Sequence, residues 1–420
     1  MSNNGHISKA ISIGYLTKVS AGNVNASHTE GNVIVAKKVT LPDGSSVPYI
    51  SGQALRRMLR DRLEELGYPL SEPFAQVSGQ EVTPPVRPWE FADEDLFGYL
   101  DPSGGRRRTS PVRVSAAVGL FRFQGDRDLG TRSFEKFGQA MEAGGNMFET
   151  ELYANLFKGN LLVELDRIGV FRDLEVGEMD TPPEGTEKVE HEGRWFLTIP
   201  EEEKTRRLQT LFDALGVLWG GGRTARLLSD LSPRFLAYTR LTVKHPVFLE
   251  ALSVHYEDGL YFLDLEPLVN ALEKFKTHRL TTLFGLEPRF LGNEEEVRKQ
   301  LQTYGSVLSV HEALEEAKKD LQIHCYNKAV SAAYFAVENF ANAIFYLKRQ
   351  KVRGFKGRLN IIRSIFGDDI AYLVEELHRK RTFADHYETM MQRADAEEAI
   401  RIAEDLINKF NGLPEAIFYR

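Results

Sequence analysis

Residues 11–67 read ISIGYLTKVSAGNVNASHTEGNVIVAKKVTLPDGSSVPYISGQALRRMLRDRLEELG, and their pattern decides the class of the first part of the chain. Ile11, Ile13 and Tyr15 alternate with Ser12 and Gly14, the two-residue period of a strand. Val33, Val35, Val39 and Leu41 repeat that period, Asp43-Gly44 turns the chain, and Val47-Pro48-Tyr49-Ile50 leads into a helix. Ser51 stands where it can cap the helix and Gly67 where it can close it. Leu55, Met58, Leu59, Leu63 and Leu66 form the apolar stripe, which sends Arg56, Arg57 and Arg60 to another face. Three arginines there suit a rail for phosphates, or simply the solvated face of an amphipathic helix.

Beyond this stretch two textures follow. Up to about residue 290, short alternating runs are separated by turns, the mark of an α+β unit. From 305 to 412 the period is almost purely helical. Ser309-Val310-His311-Glu312 is a capping box, and Ala313, Leu314, Ala317 and Leu321 form the first stripe. Ala329, Ala333, Ala336, Phe340, Ala343 and Leu347 form a second, on a long helix whose small-residue face permits close packing. Leu359, Ile362 and Phe366 mark a third helix ended by Gly367. Ile370, Leu373, Val374 and Leu377 open a fourth, and Asp395 caps a fifth carrying Ala399, Ala403, Leu406 and Phe410. The reading is an α+β domain at 1–291, a linker at 292–304, and an all-α bundle at 305–420.

The chain has 420 residues, too many for one ordinary core, and 27% of them are charged. No run of 18 uncharged apolar residues occurs, and the N-terminus lacks a leader pattern, so a cytoplasmic protein with no membrane partner is expected. The single cysteine, Cys325, excludes a disulfide framework and multi-cysteine zinc modules. The formal charge of −7 hides segregation. Residues 171–205 hold 4 Lys/Arg against 11 Asp/Glu, while 1–60 hold 7 against 2 and 101–136 hold 8 against 4. Residues 348–358, KRQKVRGFKGR, hold six bases and no acid. Local fields of this kind, and not the total, decide whether phosphates are attracted.

Ten histidines show no HExxH spacing, so neither a catalytic metal nor another cofactor is expected. Gly220-Gly221-Gly222-Arg223 lacks the nucleotide-loop patterns, yet glycine lets backbone approach a phosphate chain. The sharper signal is Arg381-Thr382-Phe383-Ala384-Asp385-His386 on the fourth helix. Residues five apart differ by about 140° around a helix, so Arg381 and His386 meet only across a two-fold axis or where the helix loosens. Such a pair suits RNA cleavage: imidazole moves a proton at the ribose 2′-hydroxyl, and guanidinium holds the scissile phosphate. The plainer alternative pairs Arg381 with Asp385 at i,i+4.

Several blocks carry a family resemblance. Residues 14–61, RRRTSPVRVSAAVGLFRF (106–123), FETELYANLFKGNLLVELDRIG (148–169) and GGGRTARLLSDLSP (220–233) resemble the CRISPR-associated autoregulator (DevR) family, the backbone subunit of type I Cascade effectors. The resemblance implies an RRM-like (ferredoxin-like) palm with a β-hairpin thumb, copies of which assemble head to tail along a CRISPR RNA. It implies RNA contacts at Asn23, Asn25, His28, Lys37, Lys38, Ser51, Gln53, Arg56, Arg57 and Arg60, with Gly221, Gly222 and Arg223 from the glycine run. Phe121, Phe123, Arg127, Arg132 and Phe134 fall in or beside the implied thumb, where aromatics suit base stacking or core packing.

The helical part resembles the HEPN superfamily of dimerising ribonucleases, on AVSAAYFAVENFANAIFYL (329–347) and RTFADHYE (381–388). Arg381 and His386 are then catalytic, with Asp385 a polar neighbour. Tyr387 follows His386, which also approaches the Tyr-ending motif variant that some members carry. The expected partners are CRISPR RNA, a target RNA or single-stranded DNA, other Cascade-type subunits and further copies of this chain. The expected function is an RNA-guided effector subunit that cleaves without metal. The competing expectation is a non-catalytic scaffold whose helical domain is structural or recruits a nuclease. A third assigns cleavage to Asp126 or Asp128 in the thumb region.

Overall fold

The computed structural model describes residues 8–71, 74–75, 82–102, 104–132, 146–177, 179, 181–191, 194–220, 227–322, 330, 333–334, 337, 354–386 and 393–411. Two compact units divide at Lys318, and each is taken in turn.

The first unit is built on a large mixed sheet. Its centre is the strand Ala10–Gly22, which is buried on both faces until Lys18. Hence Ser12 and Gly14, read as the outward half of an alternation, are covered as fully as Ile11 and Ile13. One side of this strand pairs antiparallel with Phe235–Leu241, which pairs with Arg279–Leu286. The other side pairs antiparallel with the long strand Asn146–Glu164. Val112–Val114 and Ala117–Gly119 take the far edge of that long strand. The strands of 10–22, 112–119, 146–164 and 235–241 therefore lie in the spatial order last, first, third, second, all antiparallel. Helices Gly52–Glu65 and Glu201–Gly216 fill the two crossovers. Gly159 is required here, because a Cβ would stand 2.4 Å from the Tyr15 ring.

The helix Gly52–Glu65 begins as its sequence directs. The Ser51 hydroxyl accepts the Ala54 N–H at 3.3 Å, and Gly67 takes φ +99° just past the last turn. Leu55, Leu59 and Leu63 are buried, but Leu66 is exposed and Arg62 takes its place under cover, its guanidinium 4.5 Å from the Trp219 ring.

Beyond the far end of the core strands, Gly125–Arg132 pairs with Asn146–Tyr153 as a two-stranded ribbon, and Val33–Ala36 joins it in parallel at Glu149 and Thr150.

The boundary differs from the expected linker at 292–304. Glu294–Leu301 is a helix, and Ser306–Leu308 adds to the main sheet in parallel with Arg279–Leu286. Val297 and Leu301, both 0% exposed, join the core cluster of Leu268, Leu272 and Phe284. Two apolar residues four apart in an otherwise charged run are enough to seat one face of a short helix. The capping box forms as read: the Glu312 carboxylate accepts the Ser309 N–H at 3.0 Å, and the Ser309 hydroxyl accepts the Glu312 N–H at 3.3 Å. The helical stretch it opens, 310–322, contains the unit boundary.

The second unit, from Lys319, is helical at all its described residues except Gly367. Gly354–Phe366, Asp368–His386 and Arg393–Asn411 surround Val330, Tyr334 and Val337. The last helix begins two residues before Asp395, which stands in its first turn rather than at its cap. Leu359, Ile362, Ile370, Val374, Leu377, Ala399 and Leu406 are buried as the stripes require. Gly367, φ +91°, ends one helix, and its N–H bonds the Arg363 carbonyl at 2.9 Å.

Candidate nucleic-acid interface

Three segments far apart in sequence meet at the start of the helix Gly52–Glu65. Asn25 Oδ1 accepts the Ser51 N–H at 2.9 Å, and the Asn25 carbonyl accepts the Lys37 N–H at 3.0 Å. The Lys37 carbonyl accepts the Tyr49 N–H, also at 3.0 Å. Val24 N–H donates to the Tyr153 hydroxyl at 3.1 Å, tying the same loop to the long strand. Burial pushes the Tyr153 phenol up to about 12, so it stays protonated at any physiological pH.

Asn23 is 2% exposed, and neither atom of its amide has a hydrogen-bond partner among the described residues. It lines a cleft of about 220 Å³ with Ser27, His28, Thr29, Thr150 and Leu227. A buried amide left unpaired costs about 1–3 kcal/mol, so a ligand offering both a donor and an acceptor is favoured there. His28 is exposed at the rim, bonded to Ser27 Oγ (3.0 Å) and Glu30 (2.9 Å). Gly221, Gly222 and Arg223 lie outside the described residues. Their flanks form the short pairing of Trp219–Gly220 with Ser229–Asp230, and Ser229 stands against Gly22 at the end of the first strand.

The arginine rail is not a single free face. Arg56 donates to the Phe97 carbonyl and lies 5.7 Å from that ring. Burial, with the neighbouring Arg60 charge second, lowers the Arg56 pKa. Arg60 pairs with Asp93, whose carboxylate is 0% exposed. Both arginines turn inward because the acidic run Ala92–Phe97 packs against this helix, a contact that periodicity within one helix cannot reveal. Only Arg57 faces outward, 69% exposed and 2.9 Å from Asp61, with the exposed Gln53 one turn before it. Lys38 is also engaged, 3.0 Å from Glu151 and 4.3 Å from the Phe123 ring. Of the described polar residues named in this region, His28, Gln53 and Arg57 are exposed and Lys37 is half-buried.

The aromatics of 121–134 divide as well. Phe121 packs against Tyr261 (5.9 Å) and Tyr256 (6.3 Å), and Phe123 against Tyr153 (6.1 Å). Arg127 pairs with Glu149 at 3.0 Å, while Phe134 and the Arg132 side chain lie outside the description. Asp126 and Asp128 are on the ribbon strand. Glu151 and Tyr153, which fasten the loop and Lys38, were not singled out by sequence. Nothing in a strand pattern marks which outward residue will meet a partner more than a hundred positions away.

In the second unit Arg381 is half-buried, its guanidinium 4.7 Å from the centre of the Tyr334 ring. Asp385 and His386 close the helix Asp368–His386 and are described by backbone alone. Among the described residues, no cluster of three or more His, Cys, Asp or Glu side chains is arranged to hold a metal. No helix among them is long and apolar enough to cross a membrane.

Residues 89–258 match the family described as CRISPR-associated negative auto-regulator DevR/Csa2. The chain carries a DevR/Csa2-like segment. That segment includes the blocks at 106–123, 148–169 and 220–233, while the block at 14–61 lies outside it. No curated protein matches the chain. Among solved structures, a chain of a "CRISPR RNA-guided surveillance complex" is 15% identical, covering 74% of this chain and 98% of its own, with a TM-score of 0.46. A chain of a "CRISPR RNA-guided surveillance complex, pre-nicking" is 12% identical, covering 73% and 100%, with a TM-score of 0.45.

Proposed function

We propose that this chain is a Cascade-type subunit of an RNA-guided CRISPR effector, holding guide RNA with its first unit and cutting RNA with its second. The observation that carries the reading is the convergence of 23–28, 37–38 and 51–57 at one helix start, in a chain with a DevR/Csa2-like segment. The order of the four core strands, with helices in both crossovers, supports an RRM-like palm. The ribbon of Gly125–Arg132 and Asn146–Tyr153 supports a hairpin thumb. Gripping the backbone leaves sequence reading to base pairing. Repetition along one guide would bring neighbouring helical units together at high effective concentration, as a shared Arg381–His386 site needs.

The decisive experiment is to express the chain with a CRISPR array and sequence the nucleic acid that co-purifies. Array-derived guides are expected; absence of RNA, or RNA unrelated to the array, overturns guide binding. Salt dependence tests the contacts. Lys37→Ala and Arg57→Ala should each lower the slope of log affinity against log salt by about 0.7, the loss of one phosphate contact on a single strand. Arg60→Ala should instead lower the melting temperature with the slope intact, because it leaves the buried Asp93 without its ion-pair partner. An unchanged slope for both outward residues removes them from the interface.

Arg381 lies on the Tyr334 ring within its own unit, a contact compatible with both a catalytic and a scaffold role for that unit, and survival or loss of cleavage in Arg381→Ala separates the two.

A further inference from the structure

Four flat groups lie in sequence within the helical unit. The Phe355 and His378 rings stack with centroids 3.6 Å apart and planes at 15°. His378 lies 5.2 Å from Tyr334 with the planes at 48°, and the Arg381 guanidinium lies over the Tyr334 ring, 4.7 Å from its centroid. His378 and Arg381 are three apart on the helix Asp368–His386, so they sit side by side on one face. Tyr334, 3% exposed, comes from a different helical segment and is anchored in the core. The Thr382 hydroxyl donates to the His378 carbonyl at 2.9 Å, holding the backbone of the same turn.

We propose that His378 is a positioning residue for Arg381, acting through Tyr334. The inference rests on the reading of Arg381 as the phosphate-holding group of an RNA-cleaving site. An arginine has many rotamers, and a guanidinium that must meet a phosphodiester gains from being oriented before the substrate arrives. The imidazole, held by its stack on Phe355, abuts the Tyr334 ring at a tilt and limits its movement, and Tyr334 presents its face to the guanidinium. The role belongs to the flat ring of His378 and needs no proton transfer from it. A phenylalanine there keeps the stack, and an alanine removes it.

The test uses the full chain with [15N]arginine and the variants His378→Ala and His378→Phe. Solvent exchange of the Arg381 Nε–H reports its placement whether or not RNA is cut. Exchange should speed up by about 10-fold in His378→Ala and return close to the wild-type rate in His378→Phe, as for loss and recovery of a packed orientation. Cleavage of a fluorogenic RNA should follow, with kcat falling by about 10-fold in His378→Ala at little change in KM. Recovery by phenylalanine supports positioning. Equal defects in both variants assign the role to the imidazole nitrogens and overturn the proposal, as does an unchanged exchange rate in His378→Ala. If wild type cuts no RNA but the exchange pattern holds, the positioning contact stands and the nuclease reading falls.

Discussion

Replacing Asp95 with alanine is expected to destabilise the first unit by about 3–5 kcal/mol, the range for removing one partner from a buried ion-pair network. Asp95 is 0% exposed and accepts from three directions: Arg108 at 2.6 Å, Arg207 at 3.0 Å and the Gly169 N–H at 3.0 Å. Arg108 also bonds Glu175 at 2.9 Å, and Arg207 also bonds the Pro88 and Trp89 carbonyls at 2.8 and 2.7 Å. Burial alone would raise the Glu175 carboxyl, but Arg108 and the Arg172 backbone and side chain hold it below its usual range. The network thus clamps the helix Ala92–Phe97 and the loop after the long strand to the helix Glu201–Gly216. Each guanidinium would be left with one carboxylate in place of two, Glu175 for Arg108 at 2.9 Å and Glu203 for Arg207 at 2.8 Å. At about 2–4 °C per kcal/mol for a large domain, the melting temperature should drop by at least about 6 °C. Asp95→Asn, which keeps an acceptor but no charge, should fall between. Thermal unfolding of both variants with unchanged midpoints would show that the arginines find other partners.

Arg381→Ala and His386→Ala are each expected to lower RNA cleavage by about 100-fold or more, the usual range for removing a general acid–base group or its phosphate anchor. Guide retention should be unaffected, because the proposed guide contacts belong to residues of the first unit. Cutting should survive EDTA and stop when one 2′-deoxy residue stands at the cut site, since the attacking oxygen is then missing. Cleavage that survives the deoxy substitution rules out the 2′-hydroxyl route. Full interference by the double variant supports the scaffold reading, and cuts lost only on replacing Asp126 or Asp128 move the chemistry to the ribbon.

Much of the local structure was legible because it is set by neighbours in sequence. The Ser51 cap, the Ser309–Glu312 box, the Gly367 stop and the stripes of the last helices are all decided within one or two turns. Of the residues named around 23–57, sequence could not show that Asn25, Lys37 and Ser51 meet through hydrogen bonds at one helix start, that Lys38 belongs to Glu151, or that Arg56 and Arg60 turn to the helix Ala92–Phe97. Within the stretch read as a linker, the helix Glu294–Leu301 arises for a similar reason. Glu294-Glu295-Glu296 looks like solvated linker until Val297 and Leu301 find a core to enter.

By itself the amino-acid order determined the capped helices, the break between a mixed part and a helical part, and the segregation of charge. All of these follow from interactions spanning a few residues or from simple counting. Only the tertiary structure decided which charges stay available to a ligand. A carboxylate attracts whichever guanidinium the fold brings within about 3 Å, and that choice depends on how distant segments pack. Hence Asp93, Glu94 and Asp95 are buried anchors, while Arg57 alone of the three arginines Arg56, Arg57 and Arg60 faces solvent.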